Sequence, residues 1–527
     1  GNLMPSIRRE FARALRRTVT PRANLALASP TIETLSQLEG KRDLETSIKP
    51  SSVLFKCQLR PHVRGWGGER VRITRKSILN LFGSEEIRRK AASSRTWDRW
   101  AGLARVLLRS GGASTGNKVT ILNCGDKAFS TMWDAIDNAR ESIHMETYIL
   151  RMDNVGQKTL KRLLKARSRG VQISLMYDSV GSTSLPMFLS QTLSALRKGG
   201  ARVVEFNPLI SGPHRFFRRN HRKILLVDGT VAFCGGMNIA DEYCGIRMGG
   251  TGRFHDTHVR IEGPAALDFA KVVRDSIREA FWSKDCENSG IYTPPSPFHT
   301  SKLRNLDPGL FGSQDPKFIG SQQKSDEFPL ISPYFGHAEA GVQKEGVCVQ
   351  VLAANSWRNQ RQLQRSVRMT IQYATTRCFI TSPYFLPPPS LLRAMIQASK
   401  RGVDVRVLTC GENCDVPGVQ AASRYIYSKL LHYGVRIFEY QPATLHSKAV
   451  CVDSIYSFVG SFNFDRWSYH RNLEVGMGML DAKVTHELEA EFLKNVAMSR
   501  EITLADIQRA SIIERAKRFL CYIVASV

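Results

Sequence analysis

Two short stretches of this 527-residue chain carry the same reactive side chains in the same order. The first reads His221-Arg222-Lys223, then Asp228, then Gly235-Gly236-Met237-Asn238. The second reads His446-Ser447-Lys448, then Asp453, then Gly460-Ser461-Phe462-Asn463. One such arrangement could arise by chance in a basic chain; two with the same internal offsets make a signal. Neutral imidazole is a good nucleophile and imidazolium a good acid near pH 7. Two histidines brought together suit displacement at a phosphodiester. One attacks phosphorus and forms a phosphohistidine, while the other protonates the leaving alcohol and then deprotonates the incoming one. Lys223, Lys448, Asn238 and Asn463 would donate to the phosphoryl oxygens, where charge builds in the transition state. Side chains supply every group in this scheme, so it calls for no metal and no other cofactor.

Each motif lies on an apolar run that reads as a buried strand. A period of two puts His221 and Lys223 on one face, and His446 and Lys448 likewise. Asp228 and Asp453, the acidic members of the two catalytic motifs, fall on the opposite face. They are therefore expected to bond backbone or a neighbouring strand rather than substrate. A histidine that works as a base needs a carboxylate on its other nitrogen. Asp256 and Glu474 each follow their motif's asparagine, though at different spacings, and are assigned that orienting role.

The elements around the motifs repeat as well. In the first half, strand-like runs at 119–122, 143–150, 171–177 and 203–206 alternate with helical patterns at 126–140, 154–169 and 188–198. In the second, strands at 347–352, 377–382, 403–408 and 435–439 alternate with helices at 361–375, 390–401 and 419–433. This predicts an α/β fold of two repeated lobes, each a mixed β-sheet flanked by helices, with the active site shared at a pseudo-two-fold interface. The lobes are placed at 117–282 and 346–500. A linker rich in Ser, Pro, Gly and Asn joins them at 283–345, and a helix that docks on a membrane or packs back on the body follows at 501–527. Residues 31–116 are basic and weakly patterned.

Lys and Arg number 75 against 47 Asp and Glu, a net charge of +28. Such a surface seeks a polyanion, either nucleic acid or an anionic bilayer. Residues 1–30 hold six arginines and one acid, with Leu3, Ile7, Phe11, Leu15 and Val19 at helical spacing. That matches an organellar transit peptide; a basic helix lying on a membrane is the other reading. No stretch reaches the roughly 18–20 apolar residues needed to span a bilayer. The eleven cysteines are scattered and odd in number, as suits reduced thiols. Cys410 and Cys414 are the closest pair, with no second pair at zinc spacing.

The two motifs resemble the HKD motifs of the phospholipase D superfamily. Further segments are similar to bacterial-type cardiolipin synthases: Ile143-His144-Met145-Glu146-Thr147-Tyr148, Asn238-Ile239-Ala240-Asp241-Glu242-Tyr243, Ser382-Pro383-Tyr384-Phe385, and Phe438-Glu439-Tyr440-Gln441-Pro442. The resemblance covers about 118–280 and 346–500. It implies a phosphatidyltransferase that makes cardiolipin from two phosphatidylglycerol molecules and releases glycerol, with His221 as nucleophile and His446 as acid/base. It also implies an anionic phospholipid surface as partner, with nucleic acid disfavoured because no stacking platform is seen. Together with the leader it points to the mitochondrial inner membrane, a bacterial cytoplasmic membrane or a plastid being the alternative. A hydrolase of phospholipid or nucleic acid would use the same site with water as acceptor, and a transferase using a CDP-activated lipid would show a cytidine requirement. The basic loop His214–Arg219 has two readings: Phe216 and Phe217 dip into a bilayer while its arginines hold lipid phosphates, or the loop is solvated and packs its aromatics on the body.

Overall fold

The computed structural model describes residues 62–64, 70–72, 103, 113–182, 190–208, 217–289, 346–355 and 360–526. The Arg-rich leader, most of the linker, and His214, Arg215 and Phe216 of the basic loop lie outside them. A short antiparallel hairpin pairs β1 (His62–Arg64) with β2 (Arg70–Arg72).

The first lobe runs β3 (Ala113–Leu122), α1 (Gly125–Asn138), β4 (Ser142–Thr147), α2 (Asn154–Ser168), β5 (Gln172–Asp178), α3 (Gln191–Lys198) and β6 (Arg202–Phe206). It continues through β7 (Ile224–Val227), β8 (Val231–Gly235), β9 (Phe254–His255), β10 (His258–Glu262) and α4 (Ala265–Ser289). The second runs β11 (Val347–Asn355), β12 (Gln360–Arg361), α5 (Gln362–Tyr373), β13 (Arg377–Thr381), α6 (Pro389–Lys400), β14 (Asp404–Cys410), α7 (Pro417–His432) and β15 (Arg436–Tyr440). It goes on with β16 (Thr444–Leu445), β17 (Ala449–Val452), β18 (Tyr456–Gly460), α8 (Arg466–His470), β19 (Glu474–Leu480) and α9 (Ala482–Ala497). β20 (Ser499–Ile502), α10 (Leu504–Gln508) and α11 (Ile512–Ser526) close the chain.

Local chemistry sets these boundaries. α1 buries Ala128, Phe129, Met132, Trp133 and Ile136 along one stripe, and the Trp133 indole donates to Thr159 Oγ1 of α2 at 3.0 Å. Asp153 and Asp481 cap α2 and α9 through backbone N–H groups of Gly156 and Val484. Proline opens α6 and α7, where its missing N–H costs nothing.

Among the described residues the strands of both lobes, apart from the separate β9–β16 pair, form one sixteen-stranded sheet, in which β12 pairs with β11 alone. β3 and β11 meet antiparallel at its centre, with Asn117 opposite Val347 and Ala113 opposite Gln350. Outward from β3 the order is β10, β8, β7, β4, β5, β6; outward from β11 it is β19, β18, β17, β13, β14, β15, then β20. The two orders match strand for strand, which is the two-fold repeat. One buried cluster lies under α1–α3 and another under α5–α7. A third joins Ile121, Phe233's neighbour Cys234 and Phe269 of the first lobe to Val349, Val475 and Phe492 of the second, so the lobes share a core.

Of the boundaries that differ from the sequence expectation, three stand out. β3 begins at Ala113, because its small and polar first residues find β11 rather than an apolar face. α4 runs to Ser289, where the sequence reading puts the start of the linker at 283. The expected single C-terminal helix is two, divided where the Ser511 hydroxyl accepts from Glu514 N at 3.2 Å.

Candidate active site

β7 and β17 begin one residue after Lys223 and Lys448, so each His-x-Lys is the lead-in to a strand rather than part of it. The lead-ins are fixed by pairing between the lobes. Asn220 bridges Leu473, and His221 N donates to Leu473 O at 3.0 Å. β16 pairs with β9, and His446 N donates to His255 O at 2.8 Å. Each motif is thus held by a strand of the opposite lobe.

The carboxylates follow the same exchange. His221 Nδ1 lies 3.1 Å from both Oε1 and Oε2 of Glu474, and His446 Nδ1 lies 2.6 Å from Asp256 Oδ2. An ionised carboxylate only accepts, so the tautomer that satisfies each of these contacts carries its proton on Nδ1 and keeps the Nε2 lone pair. Asp256 and Glu474 occupy matching places: His258 pairs with Gly235 and Gly476 pairs with Gly460, and each acid stands two residues earlier. Their unequal distances from the asparagines come from the longer loop at 241–253 of the first lobe.

Small differences tune the two sides. A Cβ on Gly236 would meet Asp256 Oδ1 at 2.2 Å, so only glycine leaves that carboxylate its place. Ser461 stands at the corresponding position and its hydroxyl donates to Glu474 Oε2. Tyr148 packs edge-on to His221 at 5.0 Å. Tyr243 is edge-on to His446 at 5.1 Å and Phe254 stacks on it at 5.5 Å.

His221, Lys223, His446 and Lys448 are all buried. Lys223 Nζ donates to His221 O at 2.7 Å and lies 5.3 Å from the Tyr148 ring centre. Lys448 Nζ donates to His446 O and lies 2.9 Å from His446 Nδ1. Burial disfavours the charged form and pushes Lys223 down to about 7, against the pull of Glu474. Burial also lowers Lys448. It lowers His221, with Glu474 opposing, and takes His446 well below the ordinary value, with Lys448 adding to the effect. Burial pushes Asp256 up to about 6. His446 feels Lys223 and His221, and His221 feels Lys448, so the two motifs form one electrostatic site.

Asn238 Oδ1 accepts from Ile149 N at 3.1 Å, and its side chain also hydrogen-bonds the buried Tyr243 hydroxyl. Asn463 is buried with its Oδ1 unpartnered among the described residues. Arg222 was not singled out from the sequence. It is fully buried, donating to Ser276 Oγ at 2.5 Å, Ala354 O at 3.1 Å and Glu474 O at 3.3 Å, and so ties the first motif to the second lobe.

The family described as "Cardiolipin synthase, PLD-like domain" matches residues 132–265 and again 367–496. Cardiolipin synthase A of Pseudomonas putida is 32% identical over 395 residues, which is 74% of this chain and 70% of that protein. The chain belongs to the cardiolipin synthase family. Cardiolipin synthase 1 of Bacillus cereus is 28% identical over 417 residues, 78% of this chain and 73% of that one. The crystal structure of phosphatidylserine synthase from Haemophilus influenzae covers 82% of this chain and 100% of its own, with a TM-score of 0.58 at 13% identity, and so shares the phospholipase D fold.

In this cardiolipin synthase family member the two aspartates of the motifs stand apart from the histidines' partners. Asp228 and Asp453 occupy turns after β7 and β17 with left-handed backbones, φ 49° and 54°. Asp228 accepts from the N–H groups of Arg140, Glu141 and Ser142 at 2.9–3.0 Å. Asp453 accepts from Thr375, Thr376 and Arg377 at 2.8–3.1 Å. The basic loop departs from expectation. Arg219 is buried against Asp178 and Arg218 pairs with Glu279, so neither faces lipid phosphate. Phe217 is exposed, 6.0 Å from the exposed Trp467, with Arg471 over both rings. Among the described residues no helix is long and apolar enough to cross a membrane.

Proposed function

We propose that this chain makes cardiolipin from two phosphatidylglycerol molecules through a phosphohistidine. The observation that carries the reading is the pair of buried histidines, each with Nδ1 on a carboxylate and Nε2 free, in a chain of the cardiolipin synthase family. His221 Nε2 attacks phosphorus, a P–N bond forms and the P–O bond to the head-group glycerol breaks. His446 gives that glycerol its proton, having been raised toward protonation by the arriving phosphate anion. The terminal hydroxyl of a second phosphatidylglycerol then loses its proton to His446 and attacks phosphorus, and the P–N bond breaks. Lys223, Lys448, Asn238 and Asn463 hold the phosphoryl oxygens throughout, and Asp256 and Glu474 orient the imidazoles. Asp228 and Asp453 act through the backbone they clasp. The choice of His221 as nucleophile rests on the family resemblance.

The substrate is reached from a membrane surface in this reading. Ile512, Ile513, Leu520 and Val524 of α11 are exposed at 62–85%, beside Arg509, Arg515 and Lys517. An apolar stripe with basic flanks suits an anionic bilayer. Phe217 and Trp467 add an exposed aromatic pair of the interfacial kind. The Arg-rich leader supports the mitochondrial inner membrane as the site of action; the relatives named above are bacterial, and a bacterial membrane is the alternative.

The test uses purified protein and phosphatidylglycerol vesicles, with chelator and without nucleotide, lipids being read by mass spectrometry. Cardiolipin and free glycerol are expected, and neither from H221A or H446A. Phosphatidic acid alone would make the protein a hydrolase, and a cytidine requirement would make it a different transferase.

A further inference from the structure

A second constellation lies beside the active site. β14 ends at Cys410, and the following turn brings Cys414 and Asp415 back against it. One ligand atom from each of the three lies within 4.8 Å of the other two, the only such grouping of His, Cys, Asp or Glu among the described residues. Both cysteines are buried free thiols. Their surroundings fix them: Cys410 Sγ donates to Leu445 O at 2.9 Å and Cys414 Sγ to Val416 O at 3.4 Å. The loop between them is pinned as well, through Asn413 Nδ2 to Gln441 O at 2.7 Å and Thr444 Oγ1 to Asn413 O at 2.6 Å.

Asp415 is held by one oxygen. Tyr384 Oη donates to its Oδ2 at 2.5 Å, while Oδ1 stands 4.0 Å from Cys414 Sγ. A carboxylate anchored on one oxygen and turned toward two sulfurs with the other is how an outer hydrogen bond orients a ligand. Bonds of about 2.0–2.3 Å to a tetrahedral ion set donor atoms roughly 3.3–3.8 Å apart. An ion would have to draw the three atoms, now within 4.8 Å of one another, in to that spacing. Sulfur donors select borderline and soft cations over Mg2+ or Ca2+.

We propose that Cys410, Cys414 and Asp415 bind a thiophilic divalent cation of the zinc class, with a fourth position open to water. The ion would take the place of the two thiol protons and clamp the turn after β14 to the strand end at Cys410. The inference stands on these three side chains and does not rest on the lipid reaction proposed above, although Asp415 also acts electrostatically on His446 and Lys448. The sequence hid it because two thiols four residues apart lack the second pair that marks a zinc motif; the third donor is the neighbouring carboxylate, which carries no signal of its own.

The full-length protein, reduced with a phosphine and freed of metal, is titrated with Co2+ and then with Zn2+. Thiolate-to-cobalt charge-transfer absorption is expected, displaced by one equivalent of Zn2+. C410S and C414S should each lose the band and weaken Zn2+ by about 100-fold or more, and D415N by about tenfold or more, loss of a direct ligand costing at least as much as the ~10–100-fold typical of an outer-shell partner. Circular dichroism identifies any variant that fails to fold. The zinc X-ray absorption edge of the unmodified protein, which needs no variant, should show two sulfur neighbours. No charge-transfer band in the reduced wild type, a band retained in folded C410S/C414S, or an edge without sulfur would each overturn the proposal.

Discussion

His221 of the first lobe and Glu474 of the second face each other across the molecule, Nδ1 3.1 Å from each carboxylate oxygen. The reverse pair, His446 with Asp256, crosses the other way at 2.6 Å. Neither lobe supplies its own histidine's partner.

Neutralising either acid should therefore impair a histidine in the opposite motif. E474Q and D256N keep shape and lose charge, and kcat is expected to fall about 10²–10⁴-fold with the fold intact. Steady-state rates beside melting curves check this. A variant with wild-type kcat would remove the carboxylate from the mechanism.

Gly236→Ala presses a methyl group on the Asp256 carboxylate. The atom met is the end of a side chain, so the protein should fold while Asp256 leaves His446. Activity is expected to drop about tenfold or more, since misplacement of about 1 Å can cost 10²-fold. The corresponding S461A, which removes a donor to Glu474 without crowding it, should cost less.

The two histidines can be told apart by trapping. A phosphatidyl ester of a good leaving group such as p-nitrophenol needs no acid to depart. In H446A the adduct should form and persist, because no base activates the acceptor; in H221A no adduct should form. Intact-protein mass spectrometry reads the result. Adduct in H221A and none in H446A would exchange the two roles.

Lys223 bears on pH. Burial brings it from 10.5 to about 7, so above pH 7 the folded protein loses a phosphate-binding cation. With His221 lowered below 6.5, kcat/KM should hold from below that value to about pH 7 and then fall. K223R should carry the alkaline side upward, arginine staying charged. An alkaline limb unmoved by K223R would assign it elsewhere. The same group affects stability: between about 7 and 10.5 the unfolded chain binds the extra proton, so this lysine's contribution rises with pH across that window.

If α11 meets the bilayer, I513E and L520E should weaken binding to anionic vesicles about tenfold or more each, from the loss of a buried apolar side chain. Turnover of a short-chain, water-soluble substrate should not change. Equal vesicle binding by the variants would place the contact on another face.

The repeated motifs and the strand–helix alternation around them were legible because their periods are local. His221-x-Lys223 and His446-x-Lys448 share offsets, and α1, α2, α6 and α7 show their stripes and turn residues. What local pattern could not show is what crosses between lobes. Glu474 gives no sign that it reaches His221 rather than His446, since that depends on β3 meeting β11. The first six residues of β3 look like loop because their partner is a strand more than 200 residues away. Arg222 reads as a solvated basic residue until its contacts with Ser276 and Ala354 are seen.

The exchanged carboxylates make the chain a dimer in one polypeptide. Half of it, alone, would hold a histidine with no acid behind it, so separately produced halves should be inert until they reassociate. Fusion also releases the halves from identity. A symmetric pair would start from two equal half-sites, whereas here Gly236 faces a short acid and Ser461 a long one, and Phe254 stacks on His446. The linked form can thus give one chemical species two parts to play, donor on one side and acceptor on the other.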